Sequence, residues 1–107
     1  MKDQDVYIEH ILESIEKIEE YISDISKEEF KENELVQDAV IRRIEIIGEA
    51  AKRLDESTRS KYEGIQWQDI AGMRDRLIHR YFGVDLDQVW QTVQKDIPEL
   101  KNTLCAN

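Results

Sequence analysis

One cysteine, one proline, four glycines and no apolar run longer than a few residues, in 107 positions, exclude several classes at once. A lone cysteine, Cys105, cannot close an internal disulfide. A zinc finger needs several Cys and His ligands at short spacing, and this chain has only two histidines. Without a long apolar run, no membrane helix is expected. There is no Gly-rich phosphate loop, no internal repeat and no low-complexity tract. Little glycine and proline, with 40% apolar and 36% charged residues, is the profile of a helical bundle rather than a sheet protein. The start, Lys2-Asp3-Gln4-Asp5, does not read as a secretory leader. The expectation is one soluble, reduced, cytoplasmic domain over residues 1–107 with a modest core, holding no metal and no cofactor.

The net charge of −9 argues at first against nucleic acid, but the charge is unevenly spread. Residues 1–41 carry 4 basic against 13 acidic side chains, residues 42–80 carry 9 against 7, and residues 81–107 carry 2 against 4. The acidity belongs to the first helix and its exit, while the middle is mildly basic. Phosphate can be attracted there locally, although long-range steering of RNA is weak.

Ile8, Ile11, Leu12, Ile15, Ile18, Ile22 and Ile25 recur at helical spacing and predict a helix over about residues 5–25, with Asp3 or Asp5 as its cap. His10 falls on its charged face, where a solvated, idle histidine is the ordinary outcome. A second helix is expected over about 34–55. It is apolar on more than one face, and Gly48 and its alanines permit close approach of a neighbour. Residues 56–66 read as a connection. A third helix is expected from Trp67 to Tyr81 or Phe82, stopped by Gly83. Asp85 then caps a fourth, from Leu86 to Leu104, with a kink or restart near Asp96-Ile97 because Pro98 cannot donate a hydrogen bond. The fold class is therefore all-α: a four-helix, up-down type bundle with a kinked or split last helix.

The chemistry concentrates in Gly72-Met73-Arg74-Asp75-Arg76-Leu77-Ile78-His79-Arg80-Tyr81-Phe82. An imidazole moves protons near neutral pH, and a guanidinium holds phosphate through two parallel hydrogen bonds. On a continuous helix Asp75 and His79 are one turn apart, so the carboxylate can orient the imidazole. Arg74 and His79 are then about 140° apart. For both to reach one phosphate, the helix must be irregular or a second protomer must complete the pair; a two-fold axis close to this segment is the preferred geometry. The plainer alternative is a solvated ion-pair lattice, with Tyr81 and Phe82 filling the core.

Arg74, four residues, His79, one residue and Tyr81 resemble the signature of the HEPN superfamily, with a polar Asp75 after the arginine. The surroundings are similar to its HepT-like branch: Ala39 to Ala51 (AVIRRIEIIGEAA), Trp67 to Arg74 (WQDIAGMR), Val89-Trp90, and Ile97-Pro98-Glu99-Leu100. The resemblance spans about residues 5–104; Gln66 departs from it where proline is expected. It implies a dimerising helical bundle (a homodimer or a higher oligomer) that acts as a metal-independent endoribonuclease toxin of a toxin–antitoxin module. By the same resemblance Arg74 and His79 are the catalytic pair, with Asp75 in support. The expected products are a cyclic phosphate and a free 5′-hydroxyl. The resemblance further implies a minimal nucleotidyltransferase antitoxin as partner, which attaches AMP to Tyr81. The competing reading is a non-catalytic HEPN module that binds nucleotide or RNA, or serves only as the partner's modification substrate.

Overall fold

The computed structural model describes residues 2–79 and 83–106, and the side chains of residues 4–78 and 83–106. Two long helices form its frame, α1 (Lys2–Ile22) and α3 (Glu34–Lys52). The isoleucine stripe of α1 buries Ile11, Ile15 and Ile18 completely against Val40, Ile44, Ile47 and Ala51 of α3. Burying one such side chain contributes about 1.5–3 kcal/mol, so this seam is a large favourable term in the pairing. The helices run antiparallel. Gln4, at the start of α1, accepts from the Asp55 backbone N–H at 2.9 Å and donates to the Arg53 carbonyl at 3.4 Å, just past the end of α3. Asp3 and Asp5 lie inside α1 rather than capping it, because the helix already begins at Lys2. It also stops three residues earlier than expected, at Ile22, and Asp24 turns the chain with φ +64°. Ile25 still packs on the core.

A short helix not anticipated from the sequence follows, α2 (Lys27–Glu32). Ser26 and Glu29 close a reciprocal capping box at its start, each side chain accepting from the other's backbone N–H. Phe30 is its anchor, fully buried and packed on Trp90 with ring centroids 5.4 Å apart. Asn33 then caps α3 by accepting from Val36 N–H. The expected connection over 56–66 contains a one-turn helix, α4 (Glu56–Ser60). Asp55 nucleates it by accepting from the Thr58 N–H at 2.8 Å.

The continuous third helix expected from Trp67 to Tyr81 or Phe82 is not formed. Instead α5 (Trp67–Ala71) ends at Gly72, and α6 (Met73–Leu77) ends where Ile78 turns extended, with φ −116° and ψ 112°. Two two-residue strands, β1 (Ile78–His79) and β2 (Gly83–Val84), pair antiparallel with Ile78 opposite Val84 and His79 opposite Gly83. The Asp85 N–H donates to the Leu77 carbonyl and extends the tie. Gly83 has φ +77°, which a side chain would resist. The glycine read as a helix stop thus serves a hairpin, flanked by the β-branched Ile78 and Val84.

Asp85 caps the last helical run as expected, accepting from Gln88 N–H. That run is α7 (Leu86–Gln91), a π-helical segment (Thr92–Asp96) and α8 (Ile97–Ala106). The restart falls at Ile97, where it was expected. Pro98 has no N–H to give, and the Ile97 N–H reaches back five residues to the Thr92 carbonyl. Val89, Val93, Ile97, Leu100 and Leu104 complete the core. The described chain is all-α apart from the small hairpin, and none of its helices is long and apolar enough to cross a membrane.

Candidate active site

Small residues set the site's frame. A Cβ added at Gly48 on α3 would stand 3.3 Å from the carbonyl oxygen of Ala71, so the end of α5 rests directly on the α3 backbone. That approach brings Arg74, one residue into α6, over the polar face of α3. The Arg74 Nε donates to Glu45 Oε2 at 2.8 Å, and its Nη1 lies 3.5 Å from Asp75 Oδ1. Arg42 approaches the other oxygen of Glu45, at 3.9 Å. The hydrogen bond to Glu45 holds the Arg74 pKa above its ordinary value, so this group is a permanent cation.

The Arg74 side chain remains 46% exposed, against 29% for Glu45. One edge of the guanidinium is thus fixed from α3 while much of the group still faces solvent. Around it lies an open hollow of about 280 Å³, lined among others by Arg42, Lys52 and Glu49. A larger hollow, about 530 Å³, lies between the Gly64–Arg76 stretch and α8; it carries Arg76 with Asp69, Asp96 and Glu99 and does not include Arg74. Among the described residues, no group of three His, Cys, Asp or Glu side chains is placed to hold a metal ion.

The other expected site residues fare differently. His79 follows the helix end on β1, with its backbone tied to Gly83; its side chain lies outside the described residues. Tyr81 lies outside them altogether. Asp75 is 76% exposed and leans on Arg74. The one-turn helical relation expected between Asp75 and His79 does not exist, because the helix ends at Leu77 and Ile78 is extended. The angle of about 140° between Arg74 and His79 falls with it. The helix is thus irregular between the two residues. His10 is exposed, as its helix face implied.

Glu45 is the site residue that sequence reasoning missed. It was visible as a carboxylate set among isoleucines in α3, three residues from Arg42. Nothing in the sequence pairs it with a guanidinium 29 positions away.

The profile of the "Ribonuclease HepT-like" family matches residues 11–106. The chain is 55% identical over 103 residues to a Methanocaldococcus jannaschii protein named "Gamma-glutamylcyclotransferase and putative RNase", of which it spans only 46%, while 96% of this chain is covered. It is 46% identical over 94% of its length to a "Putative RNase" of Caldanaerobacter subterraneus subsp. tengcongensis, spanning 90% of that protein. To "Probable ribonuclease HepT" of Thermococcus cleftensis it is 48% identical, with 89% of this chain and 86% of the relative covered. No solved structure gives a significant match.

Proposed function

Because the chain belongs to the HepT-like ribonuclease family, we propose that it is a metal-independent endoribonuclease in which Arg74 and His79 act on one RNA phosphate. The observation that carries this reading is the Arg74 guanidinium, held by Glu45 at 2.8 Å and still open to solvent, five residues before a histidine set just past a helix end. The His79 imidazole takes the proton of a ribose 2′-hydroxyl, and the 2′-oxygen attacks phosphorus. The bond to the 5′-oxygen breaks as that oxygen gains a proton, leaving a cyclic phosphate and a free 5′-hydroxyl. Arg74 stabilises the charge that grows on the non-bridging oxygens. One histidine cannot serve as base and acid in the same step, so a homodimer supplies the second imidazole.

The same reading makes the protein the toxin of a toxin–antitoxin module, silenced when a minimal nucleotidyltransferase attaches AMP to Tyr81. A bulky anion beside the catalytic pair would fill the cleft and repel substrate phosphates. The partner with ATP should add adenylate mass to the parent and not to Tyr81→Phe.

The alternative is a non-catalytic module that binds nucleotide or RNA and partners the nucleotidyltransferase. It draws on the net charge of −9 and on the carboxylates already beside Arg74. Total RNA incubated with purified protein in chelator separates the two. Cleavage by the parent that disappears in both Arg74→Ala and His79→Ala supports the enzyme; a contaminant-level activity unchanged by either substitution removes it.

A further inference from the structure

Arg74 does not stand alone in its hollow. Arg42 and Lys52 line the same wall, ten residues apart on α3 and therefore separated by about 15 Å along the helix axis. Gly48 lies between them, buried beneath the end of α5, which brings Arg74 close to this stretch of α3. The charges within the hollow are unequally committed. Glu45 is engaged by Arg74 and approached by Arg42, Asp75 leans on Arg74, and Glu49 stands exposed on the same wall, with no ion pair among the described residues. Among the described residues Arg42, 70% exposed, has only that long 3.9 Å ion-pair approach, and Lys52 is exposed with no ion pair. A guanidinium with its inner edge fixed thus sits between two loosely held cations, along an axis several nucleotides long.

We propose that this wall of α3 is a backbone track for single-stranded RNA, with Arg42 and Lys52 gripping phosphates on either side of the one held by Arg74. The inference rests on the ribonuclease reading and deepens it. Cation–phosphate pairs of this kind position a strand without reading its sequence. The competing explanation for Lys52 is local: a cation in the last turn of α3 complements the negative end of the helix. That role predicts a lower melting temperature on its removal and no change in RNA affinity.

The test is the affinity of the full chain carrying His79→Ala, which keeps the probe intact, for a fluorescently labelled single-stranded RNA of about a dozen nucleotides across a salt series. Each cation that neutralises a phosphate of a single strand adds about 0.7 to the slope of log affinity against log salt. Arg42→Ala and Lys52→Ala should each reduce the slope by about that amount and weaken binding several-fold at low salt. Lys17→Ala, on α1 and paired with Glu20, should change neither. Slopes parallel to the reference in both α3 variants, an equal reduction from Lys17→Ala, or no binding at all would each overturn the track. Cleavage is read separately with His79 present. Binding with the expected slopes but no cleavage would remove the nuclease and keep the track; cleavage with unchanged slopes would do the reverse.

Discussion

Helix α3 and the stretch from Trp67 to Val84 are of similar length and are built in opposite ways. The first is one unbroken helix of 19 residues, with Val40, Ile44, Ile47 and Ala51 buried at regular spacing. The second is two single-turn helices, a break at Gly72 and both strands of a hairpin. Regular periodicity yields a frame whose polar face lines the site. The irregular stretch buries little, mainly Trp67, Met73 and Leu77, and carries the arginine and histidine. The two meet at Gly48 and at the Glu45–Arg74 hydrogen bond, where the frame fixes the direction of the arginine side chain.

The contrast predicts that substitutions in the two regions damage different properties. The largest effect belongs to the irregular stretch: Arg74→Ala and His79→Ala should each lower kcat for RNA cleavage by about 100-fold or more. Their melting temperatures should stay near that of the parent. An unfolded Arg74→Ala would show that the arginine belongs to the frame. Next comes the reverse case. Ile44→Ala, in a site 1% exposed, should cost about 2–5 kcal/mol in denaturant unfolding, with cleavage per folded molecule unchanged. Gly83→Val tests the junction. It places a β-branched residue at φ +77°, with an expected loss of about 1–2 kcal/mol and reduced cleavage, because the hairpin carrying His79 is disturbed. A full-strength site in that variant would separate the hairpin from function.

The smallest effect is electrostatic and lies outside both regions, between α2 and α7. Asp87 accepts from Lys27 and Lys31, which hold its pKa below the ordinary 3.8. A depressed folded-state pKa means stabilisation that is present above 3.8 and fades as pH falls through the lower folded value. Asp87→Asn should therefore lower the melting temperature slightly at pH 7, and the difference from the parent should vanish in stronger acid. High salt should shrink it, because the pair is exposed.

The sequence was a good guide to the frame because burial there follows helical period. The stripes of α1, α3 and the last helical run, the Asp85 cap and the restart before Pro98 all rest on local rules. It misled at Trp67–Val84. Methionine, arginine and leucine in that stretch favour a helix locally, while Gly72, Ile78 and the positive φ of Gly83 decide against one. A glycine after an apparent helix fits a helix stop and a hairpin equally well. Arg74 and His79 were legible as residue types in a recognisable spacing. Glu45 was not, since its role depends on two helices meeting across 29 residues of sequence.

That meeting point offers the most direct check on the link between frame and site. Steady-state cleavage of a defined single-stranded RNA should be compared for the parent, Glu45→Ala and Glu45→Gln. If α3 positions Arg74 through this hydrogen bond, Glu45→Ala lowers kcat about 10-fold or more with KM little changed. Glu45→Gln, whose side-chain oxygen still accepts from Nε, recovers most of the activity. Parent-level kcat in Glu45→Ala would contradict the account.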